Sequence, residues 1–178
     1  MHIKGSETEK NLYRTFAGES RARTKYSFYA EKARCEGYRY IAEIFDEVSD
    51  NEKAHAREAY KRYLNRVGDT CENLLDAVIG ESEEVAKVYK QFEETACKEG
   101  FKDIEKFYKE LREVEESHCV KFKKLRKLFE EDKVYKKDEE SLWQCMNCGY
   151  IHIGKEAPEH CPLCKYPRGY FKPYCKVE

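Results

Sequence analysis

The chain has 178 residues, with 34 basic and 35 acidic side chains and a formal net charge of -1 at pH 7. This balance argues against binding to nucleic acid or to an anionic membrane surface, which both favour a basic excess. No apolar stretch approaches the length of a transmembrane helix, and no signal-peptide core follows Met1, so we expect a cytoplasmic protein.

Four long helices are predicted in the first three quarters of the chain, and no segment before residue 140 alternates with the period of a strand. Ser6 followed by Glu9 predicts a capping box at the start of the first helix. We expect this helix to end near Arg34, before Gly37. The other three are predicted over about residues 38–67, 71–98 and 101–131, and the first two of these end at Gly68 and Gly100.

A carboxylate and an imidazole recur in the middle of two apolar stripes. Glu52 and His55 lie three residues apart on the second predicted helix, and Glu115 and His118 repeat the pattern on the fourth. Residues at this spacing share one helix face, and the apolar stripe predicts that the face is buried. Burying both groups is costly unless something pairs with them, and a metal ion can pair with both.

The two halves of the helical region repeat. A shift of 63 residues takes the first Glu-x-x-His motif to the second, and a shift of 62 takes Glu19, within Gly-Glu-Ser, to Glu81. Two hairpins of the same design predict a four-helix bundle with a pseudo-twofold axis.

The polar residues of the inward faces follow the pattern of ferritin-like dimetal proteins, with one Glu from each of two helices and Glu-x-x-His from the others. Four glutamates balance two divalent ions, and an oxygen-rich shell favours iron or manganese over zinc or copper. Glu84 is an extra carboxylate, and we expect it to compete with His55 for one ion, so that the ligand changes with oxidation state. The candidate ligands are Glu19, Glu52, His55, Glu81, Glu84, Glu115 and His118.

Glycine, proline and cysteine cluster near the C-terminus. The charged stretch 131–141 is predicted as a linker between a helical domain, residues 1–138, and a small domain, residues 139–178. Two Cys-x-x-Cys pairs in a chain of nine cysteines predict a tetrahedral four-thiolate site, for which the spacing alone allows zinc or a single iron. Those ligands are Cys145, Cys148, Cys161 and Cys164. Three further cysteines, Cys35, Cys97 and Cys119, are expected to take buried apolar roles.

The cysteine sequence resembles rubredoxin, because Cys-x-x-Cys-Gly-Tyr is followed by Ala-Pro, Cys-Pro-x-Cys and Phe171. Rubredoxin holds iron and carries one electron. Together with the helical motifs, which include Glu52-x-x-His55, Glu81-x-x-Glu84 and Glu115-x-x-His118, nearly the whole chain resembles the rubrerythrins. This resemblance implies an all-α ferritin-like four-helix bundle with a small C-terminal rubredoxin-like domain. It implies iron at both sites, with zinc as a possible substitute in the four-cysteine site.

The same resemblance implies an enzyme, a non-haem diiron peroxidase that reduces hydrogen peroxide to water in oxidative-stress defence. Electrons from NAD(P)H would arrive through NAD(P)H:rubredoxin oxidoreductase and rubredoxin, and pass through the four-cysteine iron. Tyr26 and Tyr89 match tyrosines near the family's site, where they would hydrogen-bond to a ligand. The alternatives are a ferroxidase or iron-buffering protein of the ferritin-like class, and an oxygen-sensing or purely electron-transferring module.

The connection between the second and third predicted helices is short. These helices run parallel in the ferritin-like class, so the connection must return roughly 30 Å, whereas residues 68–72 reach at most about 20 Å. Either the helices are shorter than predicted, or the first hairpin packs against the second hairpin of another subunit. We favour a domain-swapped homodimer.

Overall fold

The computed structural model describes residues 3–175, so the first two and last three residues of the predicted domains lie outside the described residues. Within this range, long helices are followed by a small antiparallel sheet. The chain divides into two units, Met1–Gly68 and Asp69–Glu178. None of the helices in residues 3–175 combines the length and the apolar character needed to cross a membrane.

The first unit is a helical hairpin. As predicted, the Ser6 hydroxyl caps its first helix by accepting a hydrogen bond from the backbone N–H of Glu9, 3.1 Å away. The second helix continues into a π-helical segment in which the backbone takes one extra residue per turn. The elements are α1, Glu7–Cys35, then α2, Arg39–Arg57, and the π segment Glu58–Tyr63.

Contacts along the hairpin show that α1 and α2 are antiparallel. Phe16 stacks on Tyr60 with ring centroids 4.3 Å apart, and the Ser49 hydroxyl donates to the Arg23 carbonyl at 2.9 Å. Between the helices, Gly37 adopts a φ of 87°, a left-handed conformation that favours glycine. Phe16, early in α1, therefore contacts the π segment that follows α2, whereas Arg23, later in α1, contacts the middle of α2.

The second unit begins with another antiparallel hairpin. Asp69 and Glu72 form a full capping box, each side chain accepting from the other's backbone N–H at 2.9 Å. Gly100, with a φ of 84°, makes the turn before the last helix. The elements are α3, Thr70–Glu83, the π segment Glu84–Val88, α4, Tyr89–Glu99, and α5, Lys102–Glu130.

The second helical stretch ends at Tyr63, earlier than the predicted residue 67. The backbone N–H of Leu64 donates to Ala59, and Asn65 then turns left-handed with a φ of 50°. Asparagine tolerates that conformation better than most residues, so Asn65 rather than the later glycine stops the helix.

A three-stranded antiparallel sheet, in the order β2-β1-β3, completes the second unit. The first strand of the sheet begins at Lys136. This contradicts the predictions that residues 131–141 form a linker and that no strand precedes residue 140. Lys136 pairs with Glu156 and the register then shifts before Ser141. The first half of the strand is half-buried at Lys136 and Lys137 and exposed over residues 138–140, so it carries charges without an alternating pattern. The predicted domain boundary after residue 138 falls inside this strand. The elements are β1, Lys136–Cys145, β2, Ile151–Glu156, a 3₁₀ turn, Arg168–Tyr170, and β3, Phe171–Pro173.

The apolar stripes are less buried than predicted. Ile41 on α2 and Ile104, Leu125 and Phe129 on α5 are each more than two-fifths exposed. The stripe is covered where it meets the other helix of its own hairpin, as at the partly buried Phe45. The burial predicted for the whole stripe is therefore wrong within a single chain.

Of the three helical cysteines expected to be buried, only Cys119 is. Cys35 and Cys97 are exposed, so the prediction is wrong for both. Each lies in the last turn of its helix, beyond the face that packs within the hairpin.

Candidate metal centres

The first hairpin brings together three of the predicted ligands. The Nδ1 atom of His55 lies 2.9 Å from a Glu52 carboxylate oxygen and 3.6 Å from a Glu19 oxygen. Glu52 and His55 meet because they are one turn apart on α2, and Glu19 approaches from α1. The His55 side chain is 62% exposed, so the group opens to one side of the hairpin.

The titratable groups of this first group shift one another's pKa values. A hydrogen bond with Glu52, strengthened by burial and by the charge of Glu52, raises the pKa of the Glu19 carboxyl. The same hydrogen bond, followed by the one to His55, lowers the pKa of Glu52. Glu52 in turn raises the pKa of His55. A cation bound here would compete with protons for these side chains, because ligands must be deprotonated to bind a metal.

The second hairpin repeats the arrangement. The Nδ1 atom of His118 lies 2.7 Å from a Glu115 oxygen and 3.7 Å from a Glu81 oxygen. Burial, followed by the approach of Glu115, raises the pKa of Glu81. The Oε2 atom of Glu81 is buried and has no hydrogen-bond partner among residues 3–175. Buried polar atoms are rarely left in that state without an ion or water to satisfy them.

The two groups fit metal ions. In each group, one donor atom per residue lies within 4.8 Å of the others, which is close enough for a single ion to touch all three. Carboxylate oxygens with one imidazole suit iron or manganese. An ion at the second group would also satisfy the orphaned oxygen of Glu81.

The structure explains why the repeat changes from a shift of 62 to a shift of 63. Glu19 corresponds to Glu81 at 62, whereas Tyr26 corresponds to Tyr89 at 63. The π segment Glu84–Val88 lies between Glu81 and Tyr89 and contains the extra residue. Periodicity had predicted one continuous helix here and gave no sign of the π turn. The change of shift was the signal that could have revealed it.

The two predicted tyrosines take equivalent places. The Tyr26 ring lies 6.1 Å from that of Phe45, and the Tyr89 ring 6.2 Å from that of Tyr108. Burial, followed by the negative charge of Glu84, raises the pKa of Tyr89. The phenol therefore keeps its proton at neutral pH and can donate a hydrogen bond.

Glu84 is near the second group without joining its closely spaced donors. Its charge acts on both Glu81 and Tyr89, but the donor atoms that lie within 4.8 Å of one another belong to Glu81, Glu115 and His118. The structure thus places Glu84 beside the second group, while its predicted competitor His55 belongs to the first.

The four predicted cysteines of the sheet region converge. Sγ of Cys145 lies 3.7 Å from that of Cys164, and Sγ of Cys148 lies 3.6 Å from that of Cys161. A tetrahedral ion with bonds of about 2.3 Å to sulfur requires thiolates about 3.8 Å apart. The four residues therefore fit a tetrahedral metal ion closely.

Two matching turns hold these cysteines. The N–H of Gly149 donates to the Cys145 carbonyl at 2.8 Å, and the N–H of Lys165 donates to the Cys161 carbonyl at 2.9 Å. Gly149 has a φ of 78° and Lys165 one of 63°, so both turns end left-handed. The fully buried Trp143, whose indole N–H donates to a β2 carbonyl at 3.0 Å, packs beneath them.

Models of known protein families match both the helical region and the sheet region that carries the four cysteines. A family model described as Rubrerythrin matches residues 10–71, 58–126 and 72–142. A second, described as Rubrerythrin, rubredoxin-like domain, matches residues 143–172, which contain all four converging cysteines.

Individual rubrerythrins are also similar to this chain over most of its length. The chain is 40% identical to rubrerythrin-1 of Clostridium acetobutylicum, covering 96% of this chain and 95% of the relative. It is 41% identical to rubrerythrin of Porphyromonas gingivalis, covering 96% and 92%, and 34% identical to rubrerythrin of Nitratidesulfovibrio vulgaris, covering 96% and 95%. The solved structure of nigerythrin in a partially reduced state is 27% identical, covering 94% of this chain and 86% of that one, with a TM-score of 0.37.

Proposed function

Because the chain belongs to the rubrerythrin family, with a ferritin-like helical region followed by a rubredoxin-like one, we propose that it is a peroxidase that reduces hydrogen peroxide to water. The observation that carries this proposal is the presence of both donor sets in one chain. Two carboxylate–imidazole groups offer places for two iron ions, and a tetrathiolate group offers a place for a one-electron carrier.

The residues of the helical groups have separable roles in this proposal. The glutamates and histidines would hold two iron ions, which supply the two electrons that cleavage of the peroxide bond consumes. Glu52 on α2 and Glu115 on α5 would each supply a carboxylate ligand to an ion. Tyr89, whose pKa is raised by burial, keeps a proton with which to orient bound peroxide. Tyr26 occupies the equivalent place in the first hairpin.

We further propose that electrons enter through the four-cysteine group, loaded with iron rather than zinc, because zinc has no redox chemistry. The surface beside this group suits a transient protein donor. Met146 and Leu163, each next to or close to a cysteine ligand, are more than half exposed. Exposed apolar side chains around a redox centre favour brief docking. The proposed donors are rubredoxin and NAD(P)H:rubredoxin oxidoreductase, drawing on cytoplasmic NAD(P)H.

The main alternative is a ferroxidase or iron-buffering protein, since similar carboxylate pairs oxidise iron in ferritin-like proteins. A store has no need of an attached one-electron carrier. The convergence of Cys145, Cys148, Cys161 and Cys164 therefore favours turnover over storage. It does not by itself separate a peroxidase from an oxygen sensor or an electron-transfer module, so the substrate must be tested directly.

Stopped-flow oxidation of the anaerobically reduced protein tests the substrate. We expect oxidation by hydrogen peroxide to be at least about a hundredfold faster than oxidation by dioxygen at equal concentration. The two electrons of an iron pair complete the reduction of peroxide to water, whereas dioxygen needs four. The ions should stay bound afterwards. Equal rates with the two oxidants would overturn the peroxidase proposal, and release of ferric iron or mineral would favour the ferroxidase.

Cys161→Ser tests whether the four-cysteine site and the iron pair have separate roles. We expect it to abolish continuous peroxide reduction with a reductase while leaving a single round intact in chemically reduced protein, because only refilling of the iron pair needs the thiolate site. Cys35→Ser, at an exposed cysteine outside the four-cysteine group, is the control and should change neither. Loss of the single round in Cys161→Ser would contradict separate roles for the two sites.

A further inference from the structure

We propose that a groove on the α1–α2 hairpin binds a small phosphorylated ligand with an apolar body, of the nucleoside diphosphate class. The groove has a volume of about 480 Å³, and all of its lining residues belong to the first unit of the chain. Pockets for small ligands commonly measure roughly 300–1,000 Å³, so the groove has the size of a ligand pocket. The inference does not depend on peroxide as the substrate of the protein.

The charge of the groove is of one sign. Four of the described residues that line it are basic, whereas none of the described lining residues is acidic. The four are Arg23 on α1, Lys53 and Arg57 on α2, and Lys61 in the π segment that follows α2. Like charges that share one groove repel each other, and an anion bound between them relieves that repulsion. The groove therefore favours an anionic ligand.

The four cations have no competing partner in the part of the chain that the structure describes. Arg62, on the same hairpin, pairs with Glu58 at 3.2 Å, but none of the four groove cations forms an ion pair or a side-chain hydrogen bond within residues 3–175. All four side chains are exposed. A ligand would therefore not have to break an existing ion pair before it binds.

The second hairpin shows that the fold does not require these cations. The shifts of 62 and 63 residues that align the metal donors of the two hairpins also align the groove. The residues at the positions of Arg23, Lys53 and Arg57 are, in that order, Val85, Glu116 and Val120. Of the four cations, only Lys61 has a basic counterpart, Lys124. The same helical pairing thus forms without the charge, so the charge has a role beyond the packing of a hairpin.

The lining also contains an apolar floor. Phe16 stacks on Tyr60 with ring centroids 4.3 Å apart, and Ala56, which is only 7% exposed, lines the groove with them. Val67, 44% exposed, contributes further apolar surface. Ligand pockets commonly combine such apolar and aromatic surface with a few polar groups. An inorganic anion would leave this floor uncovered, whereas a ring attached to the anion would cover it.

The donors of the groove suit phosphate. Arg23 and Arg57 each present a planar guanidinium with several N–H donors, which matches the oxygens of a phosphate group. Lys53 and Lys61 add flexible ammonium groups, and the half-buried Ser20 lines the groove with a hydroxyl that can donate. Because the cations come from both helices, two linked phosphates can contact α1 and α2 together.

The groove and the metal donors lie on different sides of α2. Successive residues of an α-helix are about 100° apart, so Lys53 and Arg57 lie roughly 130° and 170° around the axis from the side that carries Glu52 and His55. The groove can therefore be occupied while a metal ion is bound to the donor group of the same hairpin.

Calorimetric titration of the iron-loaded protein with ADP, in the absence of magnesium, tests the groove. We expect submillimolar binding at low ionic strength that weakens severalfold at high ionic strength, because exposed charges are screened by salt. Failure of ADP to bind at millimolar concentration would overturn the proposal. The titration contains no peroxide, so protein that binds ADP but does not reduce peroxide would refute the proposed function and leave the groove standing.

Two simpler probes separate the charged and apolar parts of the groove. Adenosine lacks phosphate and should not bind measurably, and adenosine binding as tight as that of ADP would overturn the role of the cations. Pyrophosphate lacks the apolar body and should bind more weakly than ADP. Equal affinities for pyrophosphate and ADP would overturn the role of the apolar floor.

Paired substitutions locate the site. We expect Lys53→Gln with Arg57→Gln to weaken ADP binding by about tenfold or more, because two charge-assisted contacts are lost. Arg21→Gln with Arg39→Gln is the matched control, since it removes the same charge from exposed residues of the same helices outside the groove, and affinity should stay within about twofold. Undiminished binding in the groove variant would mean that ADP binds elsewhere, for instance to iron, and would overturn the proposal.

Arg23→Val provides a second, independent variant on the other helix. It introduces the residue that the second hairpin carries at this position, and circular dichroism checks that the helices are retained. We expect ADP binding to weaken severalfold. Unchanged affinity in this variant, with helicity retained, would contradict a site formed by both α1 and α2.

Discussion

Tyr89 stacks on Tyr108 with ring centroids 6.2 Å apart and ring planes inclined by 22°. Along the chain, Tyr89 directly follows the π segment, and Glu81 comes shortly before it. Glu81 meets Glu115 of α5 in the second donor group. Both contacts have counterparts in the first hairpin, where no extra residue separates them. The π segment therefore absorbs one residue between two fixed contacts, rather than rotating one of them out of place.

Deletion of Lys87 should be tolerated for this reason. Lys87 is exposed and lies inside the π segment, so its removal lets the turn close as an ordinary α-helix with both flanking contacts kept. We expect the free energy of unfolding to stay within about 1 kcal/mol of wild type, measured by urea denaturation.

Deletion of Lys109, exposed within the regular helix α5, is the matched comparison. It rotates one end of the helix against the other, and we expect it to cost more than about 3 kcal/mol. Equal damage from the two deletions would contradict the role assigned to the π segment.

Glu84→Ala should weaken iron binding in one oxidation state. A carboxylate prefers ferric iron, so we expect the variant to lose about tenfold in affinity for one ion in the oxidised protein and little in the reduced protein. Iron content after desalting, compared between the two states, measures this. Glu83→Ala is the control, because Glu83 is exposed and pairs with Lys87 at 3.6 Å. An equal loss in both states would refute a ligand specific to ferric iron.

Introducing glycine at Lys165 should stabilise one cysteine turn, and removing glycine at position 149 should destabilise the other. Lys165 holds a left-handed conformation that disfavours any side chain, so we expect Lys165→Gly to stabilise the sheet region by about 1 kcal/mol. Gly149→Ala should destabilise it by a similar amount, about 1 kcal/mol. Guanidinium unfolding followed through the iron–thiolate absorbance reports both.

Lys165 also makes a side-chain hydrogen bond that must be separated from its backbone effect. Its Nζ atom donates to the Pro162 carbonyl at 2.9 Å. Lys165→Ala removes this bond but keeps a side chain at the left-handed position, so it should not stabilise. Stabilisation by alanine as large as that by glycine would mean that backbone conformation is not the cause.

The thiol of Cys97 should react slowly for an exposed cysteine. A hydrogen bond with Glu105, followed by the carboxylate's charge, raises the pKa of Cys97. A raised pKa leaves less thiolate at pH 8, and thiolate is the reactive form. We therefore expect Glu105→Gln to increase the alkylation rate of Cys97 severalfold at pH 8, as followed by peptide mass spectrometry.

A substitution of Lys102 should change the pKa of Cys97 in the opposite direction. Its charge lowers the pKa of Cys97, so Lys102→Met should slow alkylation where Glu105→Gln speeds it. The rate at exposed Cys35, on another helix, should not change in either variant. Changes of the same sign in both variants would rule out an electrostatic cause.

Local sequence signals predicted much of the fold. The cap by Ser6 and the end of the first helix before Gly37 involve neighbouring residues only, and both appear as predicted. The reciprocal half of the predicted capping box is absent among residues 3–175, because the Glu9 carboxylate accepts from the N–H of Gly5 rather than from that of Ser6. The donor groups also depend on local geometry, since Glu52 and His55 meet through one helical turn. What failed depends on distant contacts. The strand at Lys136 exists because of its pairing with β2, and the exposure of Ile41 depends on what covers a whole helix face.

Glu84 has no counterpart in the first hairpin, where the equivalent position, 62 residues earlier, is Ala22. If the chain arose by duplication of an ancestral gene that encoded one hairpin, that ancestor would have paired with itself and treated both irons identically. A single added codon beside a single new carboxylate ends that equality. With an ion in each group, a carboxylate beside only one of them would give the two ions different redox potentials, and the pair would take up its two electrons in a fixed order.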